Sequence, residues 1–176
     1  MNTRDEEEMI RAFGDKEPRI APTAFVSEAA HVVGDVEIGE NSSVWPGAII
    51  RGDFTSIKIG NNTQIEDNCV VHAGSPVVIG DNVHIGHGAV IHCSRIGANV
   101  LIGSNATLLD EAEIGDWCVV AANCVVSQGM KIPSGSFVGG VPAVMKGRAT
   151  PSQVALMEEG VRAYARLGLE YKQEGL

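Results

Sequence analysis

Aliphatic residues recur along this chain at a spacing that is neither the 3.6 of a helix nor the 2.0 of a strand. Stepping from Ile20, the anchor position holds Ile20, Val26, Val32, Ile38, Val44 and Ile50. It continues with Ile59, Ile65, Val71, Ile79, Ile85, Ile91, Ile96, Ile102 and Leu108, and ends with Ile114, Val120, Val126, Ile132 and Val138. Sixteen of the nineteen gaps are six residues long, a regularity that decides the fold before any local propensity does. Four residues after most anchors comes a small side chain, among them Ala24, Ala30, Ser42, Ala48, Thr63, Ala89, Ala106, Ala112 and Ser136. Gly, Asn, Asp and Ser, the residues that turn a chain, fill the intervals. A short strand with a large inward anchor, a turn and a small inward residue makes one face of a parallel β-helix. Three such faces make a coil of about 18 residues, and coils stack about 4.8 Å apart. The pattern predicts an all-β chain with six to seven coils over residues 19–148.

Beyond Val138 the period changes. Thr150-Pro151-Ser152-Gln153 is a capping box with Pro at the first helical position. Val154, Met157, Val161 and Tyr164 then recur at helical spacing, which predicts a helix of about 20 residues within 149–176. It should pack back along the prism despite Gly160 and Gly168. Residues 1–18 lie ahead of the repeat and read as an N-terminal arm.

Charge removes several function classes. Thirteen Lys and Arg against 22 Asp and Glu give a net charge of −9, which repels phosphate backbones, so no nucleic-acid partner is expected. No apolar run approaches the roughly 20 residues of a membrane helix. The acidic start Met1-Asn2-Thr3-Arg4-Asp5 lacks the apolar region of a secretory signal. The expectation is a cytoplasmic protein without a membrane partner. Cys69, Cys118 and Cys124 occupy the small inward slot and read as reduced core thiols. Cys93 lies outside that slot, beside a histidine, and its role stays open.

The chemistry lies where the repeat breaks. The three odd gaps run from 50 to 59, from 71 to 79 and from 91 to 96, and each follows the third face of successive coils. Such departures concentrate at functional sites. The residue after the anchor at these corners is Arg51, then His72, then His92, so the three form a column, with Asp53 two residues beyond Arg51. On the preceding face, Glu66-Asp67 and Gly86-His87 put Asp67 and His87 in the same slot of adjacent coils. His31 and His84 fall in the last slot of a hexad and read as bystanders. Two histidines one coil apart can share a metal at about 2.0–2.1 Å. His87 is separated from His92 by roughly 16 Å of extended chain, so a third ligand requires a neighbouring chain. A three-sided prism suggests threefold closure. Three His and a water are the open coordination of a catalytic zinc.

Arg51-Gly52-Asp53, Glu66-Asp67-Asn68-Cys69-Val70-Val71-His72 and Ile85-Gly86-His87-Gly88-Ala89-Val90-Ile91-His92 together resemble the γ-class carbonic anhydrases, from about Ile20 to the C-terminal helix. The resemblance implies a left-handed β-helix and a homotrimer with one divalent metal, zinc, cobalt or iron, at each subunit interface. His72 and His92 would come from one subunit and His87 from its neighbour. Arg51 and Asp53 match the interface ion-pair motif, and Asp67 the acid before the first ligand. Glu66 stands where the family usually has Gln, and Tyr164 resembles the helix tyrosine that reaches the site. The implied reaction is reversible hydration of CO2 to bicarbonate by a metal-bound hydroxide. Two departures bear on its rate. Phe54 stands where well-characterised members carry a proton-handling Glu, and Ala73-Gly74-Ser75-Pro76 replaces their long acidic loop. With both carboxylates missing, the chain resembles the shorter subgroup, and weak or condition-dependent activity is expected. Glu66 is the remaining carboxylate for proton transfer. The alternatives are a hexapeptide-repeat acyltransferase and a non-catalytic metal-binding or scaffold protein.

Overall fold

The computed structural model describes residues 9–176; the first eight residues of the N-terminal arm lie outside them. The chain forms a parallel β-solenoid of about seven turns closed by one helix, the architecture of left-handed β-helix hexapeptide-repeat proteins. Most strands are two residues long because each hexad must turn a corner. Every anchor from Val32 to Val138 is buried. The small slot fills the same narrow interior, which explains why Cys69, Cys118 and Cys124 stand there beside Ala89 and Ala106.

We denote the faces A, B and C in chain order from Ile20. Face B is an 8-stranded sheet, ended by the antiparallel pairing of Ser136–Gly139 with Val144–Arg148. Faces A and C are joined in a 12-stranded sheet, because the strands His31–Ile38 and Ile49–Ile59 run straight through their common corner. Two glycines make that passage feasible. A Cβ at Gly34 would lie 2.5 Å from the Gly52 carbonyl oxygen, and one at Gly52 would lie 2.5 Å from that of Asp35. Elsewhere the corners are turned by asparagine in the left-handed region, including Asn41, Asn62, Asn82 and Asn99, a conformation Asn tolerates better than other non-glycine residues. Ahead of the repeat, Ile10–Arg11 pairs with Val32 and Val33 and adds a rung to face C.

The helix α1, Pro151–Glu174, starts at the expected capping box, with Thr150 and Gln153 each bonded to the other's backbone N–H. It ends at Gly175 in the left-handed conformation. It lies on face B against Phe25–Val26, Ser43–Val44, Gln64–Ile65 and His84–Ile85. A Cβ at Gly168 would sit 3.3 Å from the Cβ atoms of Phe25 and Ser43, so glycine permits the close approach. Phe25, Trp45, Tyr164 and Tyr171 interlock beneath the helix, with ring centroids 5.1–5.6 Å apart.

The stacked interior predicts where the chain tolerates change. Ile91→Ala should destabilise it by about 2–5 kcal/mol, because a cavity bounded by rungs above and below cannot collapse. Val78→Ala, on the exposed side of face A, should stay within about 0.5 kcal/mol. Urea unfolding at one fixed protein concentration measures both. Equal effects would show that the prism interior does not carry the stability.

Candidate metal centre

Parallel ladder pairing builds the site. Ile50 pairs with Val71 and Val71 with Ile91, so Arg51, His72 and His92 follow one another up the C corner. The rings of His72 and His92 lie 5.5 Å apart, centroid to centroid. Below them Arg51 is paired with Asp53 of its own chain. Burial would raise the Asp53 carboxyl, but the Phe54 backbone N–H and Arg51 outweigh it and hold the group below the usual carboxylate range. Asp53 Oδ1 comes within 3.2 Å of His72 Nε2. The alignment is too poor for a hydrogen bond, and this buried nitrogen has no hydrogen-bond partner among the described residues. Phe54 extends beside His72 at 5.5 Å and is itself exposed.

His92 is steadied from the coil above, where Asp110 lies 3.0 Å from its Nδ1. That carboxylate was not among the residues singled out from the sequence. Its signal was arithmetic, since Asp110 stands 18 residues after His92, one regular coil further on.

The second group lies on face B, near its corner with C. His87 is about half exposed, and carboxylates engage both ring nitrogens: Asp67 at 3.0 Å from Nδ1 and Glu66 at 3.1 Å from Nε2. Arg51 and Asp67 each have a partner within this chain, Asp53 and His87. Glu66 is buried and well supplied with donors. It accepts from the His87 backbone N–H at 3.0 Å and lies 2.9 Å from His84 Nε2. Burial pushes its carboxyl up, but His84 and Tyr164 outweigh this and hold it below the usual carboxylate range. The Tyr164 phenol is raised, by burial first and then by Glu66. His84 is therefore no bystander. Its face abuts Tyr164, 5.4 Å between centroids at 81°. The hexad position showed only that His84 points outward; the helix that covers it is set by tertiary docking.

Cys93 proves to be core. It stands two residues after Ile91 and so shares the anchor's inward face, as Ala73 does two residues after Val71. Burial pushes the Cys69 and Cys93 thiols up to about 12, and all four cysteines are free and buried.

Among the described residues, no group of three His, Cys, Asp or Glu is arranged to hold a metal ion within one chain. The residues nevertheless suit one as a half-site. His72 offers an unpartnered buried Nε2, and His92 leaves Nε2 outward because Asp110 takes Nδ1. A carboxylate on the second imidazole nitrogen is the usual way a metal-binding histidine is oriented.

The family description "Bacterial transferase hexapeptide (six repeats)" matches residues 56–93 and 93–128. A "Probable carbonic anhydrase" of Methanocaldococcus jannaschii is 47% identical over 150 residues, covering 84% of this chain and 94% of that protein. "Gamma carbonic anhydrase 2, mitochondrial" of Arabidopsis thaliana is 37% identical over 168 residues, covering 91% of this chain and 60% of the plant protein. The chain thus spans about three fifths of that plant relative's length. A crystal structure of a hexapeptide transferase family protein from Anaplasma phagocytophilum is 33% identical, with a TM-score of 0.89, covering 93% and 98% of the two chains. The chain is a hexapeptide-repeat protein. Within that class it belongs to the γ-carbonic-anhydrase family.

The thiol environment gives a direct test. A thiolate is the reactive form, so at neutral pH the native protein should react with a disulfide reagent only on unfolding, when four thiols are released. Stoichiometric reaction of Cys93 in the folded protein would contradict its burial.

Proposed function

We propose that this chain catalyses the reversible hydration of CO2 as a cytoplasmic homotrimer, with its site divided between adjacent subunits. The observation that carries the reading is the buried, unpartnered Nε2 of His72 beside the ring of His92. A buried imidazole nitrogen without a partner is costly, and a cation offsets that cost. His72 and His92 of one subunit and His87 of the next would hold a divalent metal, zinc by preference and cobalt or iron as substitutes. When bound, the metal supplies a water acidified to near neutral pH, the nucleophile for CO2. The four reduced cysteines fit a reducing compartment.

The remaining roles belong to side chains of this chain. Asp110 and Asp67 hold the Nδ1 atoms of His92 and His87, which directs Nε2 of each ring to the site. Arg51 and Asp53 brace the C corner beneath His72. Glu66 Oε2, next to His87 Nε2, is the atom that accepts the proton released in each turnover. Its buried position and lowered pKa make it a weak base with poor access to solvent. Proton transfer rather than attack on CO2 should then limit the rate. Tyr164 packs against the ring of His84 and helps to lower the Glu66 pKa, and so bears on the site through that carboxylate. The family also contains acyl-transfer proteins, but the grouped histidines of this acidic chain suit metal better than a single catalytic base.

The experiment is anaerobic purification, reconstitution with Zn, Co or Fe, and stopped-flow CO2 hydration. The loaded trimer should hydrate CO2, with the rate rising strongly in imidazole buffer and Glu66→Gln lowering kcat more than KM. His72→Ala, His87→Ala and His92→Ala should each remove most of the metal. Asp110→Ala should weaken metal binding about 10–100-fold by chelator competition. Thiol release from acetyl-CoA without CO2 hydration would favour acyl transfer. Full metal loading without either activity would favour a binding or scaffold role.

A further inference from the structure

His84 sits in an environment that a surface histidine does not need. Its Nε2 lies 2.9 Å from Glu66 Oε1, while its Nδ1 is buried and has no hydrogen-bond partner among the described residues. One face of the ring meets Tyr164. On the Nδ1 side the helix comes so close that a Cβ at Gly160 would fall 2.7 Å from Nδ1 and 2.9 Å from Cε1. Glycine in a helix interior is destabilising relative to alanine, and here the ring explains it. With Nδ1 unable to find an acceptor, the ring's N–H is used on Nε2, where it meets Glu66. Two groups then converge on one carboxylate: His84 Nε2 at 2.9 Å from Oε1 and the His87 backbone N–H at 3.0 Å from Oε2. Held at both oxygens, Glu66 is fixed in one rotamer.

We propose that His84, seated by Gly160, is a positioning residue that aims Glu66 Oε2 at the edge of His87 and acts on the reaction only through that carboxylate. This rests on the role assigned to Glu66 above. A gap in the packing lets the geometry be perturbed without changing any charge. A cleft of about 300 Å³ lined by His84, Leu101, Leu156 and Glu159 opens beside the ring, between helix and sheet. In Gly160→Ala the new methyl group can therefore push the imidazole off Glu66 while α1 stays docked through Met157 and Val161.

The test combines kinetics with a measurement on metal-free protein. In the reconstituted trimer, Gly160→Ala and His84→Leu should each lower kcat about tenfold, with KM and metal affinity unchanged and with imidazole restoring the rate. His84→Gln, whose amide N–H can replace Nε2–H, should recover most of the loss. Glu66→Gln combined with His84→Leu should be no slower than Glu66→Gln alone, because residues that act as a unit are not additive. Independently, 15N-resolved NMR of the metal-free protein should show His84 protonated on Nε2. That proton should exchange slowly, and its resonance should shift in Glu66→Ala and Gly160→Ala. Multiplicative rate effects, or a His84 proton on Nδ1, would overturn the proposal. The expected NMR result without CO2 hydration under any metal would instead count against the hydration reading and leave the positioning of Glu66 standing.

Discussion

The vertical register of the parallel ladder is the constraint on which everything else depends. His72 N–H donates to the Ile91 carbonyl at 3.0 Å and His92 N–H to the Leu108 carbonyl at 2.9 Å. A slip of one residue would turn every anchor outward. The buried row of Ile and Val therefore locks the outward residues as firmly as the inward ones. The odd corners do not disturb this. The nine- and eight-residue gaps bulge away and the ladder resumes, so Arg51 follows beneath His72 although 21 residues separate them, and His72 beneath His92 although 20 do. The additions lengthen the corner where His72, Asp53 and Phe54 come together, and the core does not register them.

The second constraint is the cover on face B. A two-residue rung has little outward surface to protect Trp45, Gln64 and Glu66, yet these are buried. Helix α1 does this, and it does so at the distance set by two glycines, Gly168 over Phe25 and Gly160 over His84. Under that cover the carboxylate of Glu66 leaves water. Its desolvation is offset by His84 of the sheet, Tyr164 of the helix and the His87 backbone N–H. The lid thus sets the ionisation of a residue at the edge of the candidate site.

The hexad period made the prism, its coil count and the capped helix readable from the residues, because one repeated spacing determines burial, turn and strand together. The His72–His92 column and the Asp67–His87 contact followed from the same arithmetic. Two residues escaped it, for different physical reasons. Asp110 is a vertical neighbour that the coil spacing predicts, but an acidic residue at an exposed corner looks like a solvated turn until the ring beneath it is considered. His84 is a diagonal neighbour of Glu66, and its meaning depends on which helix residue lies above it. Docking registers of helices on sheets are set by side-chain shape, here the missing side chain of Gly160, and no period in the chain encodes them. Cys93 was ambiguous because it stands outside the small inward slot; two residues after Ile91, strand alternation turns it inward.

Each of the three histidines proposed as ligands faces at least one carboxylate of its own chain: His72 with Asp53, His87 with Asp67 and Glu66, His92 with Asp110. In a chain of net charge −9 this placement has two effects. Asp67 and Asp110 restrain the rings of His87 and His92 from within the chain. Asp53 and Glu66 add negative charge beside His72 and His87, which would favour retention of the divalent cation proposed for the site. The same arrangement bears on turnover. Carboxylates committed to holding imidazoles are poor carriers of protons to bulk water, and Phe54 adds an apolar ring where a mobile acid would serve that purpose. In the proposed reaction, the geometry that suits this chain to keep a cation would therefore also slow the departure of a proton.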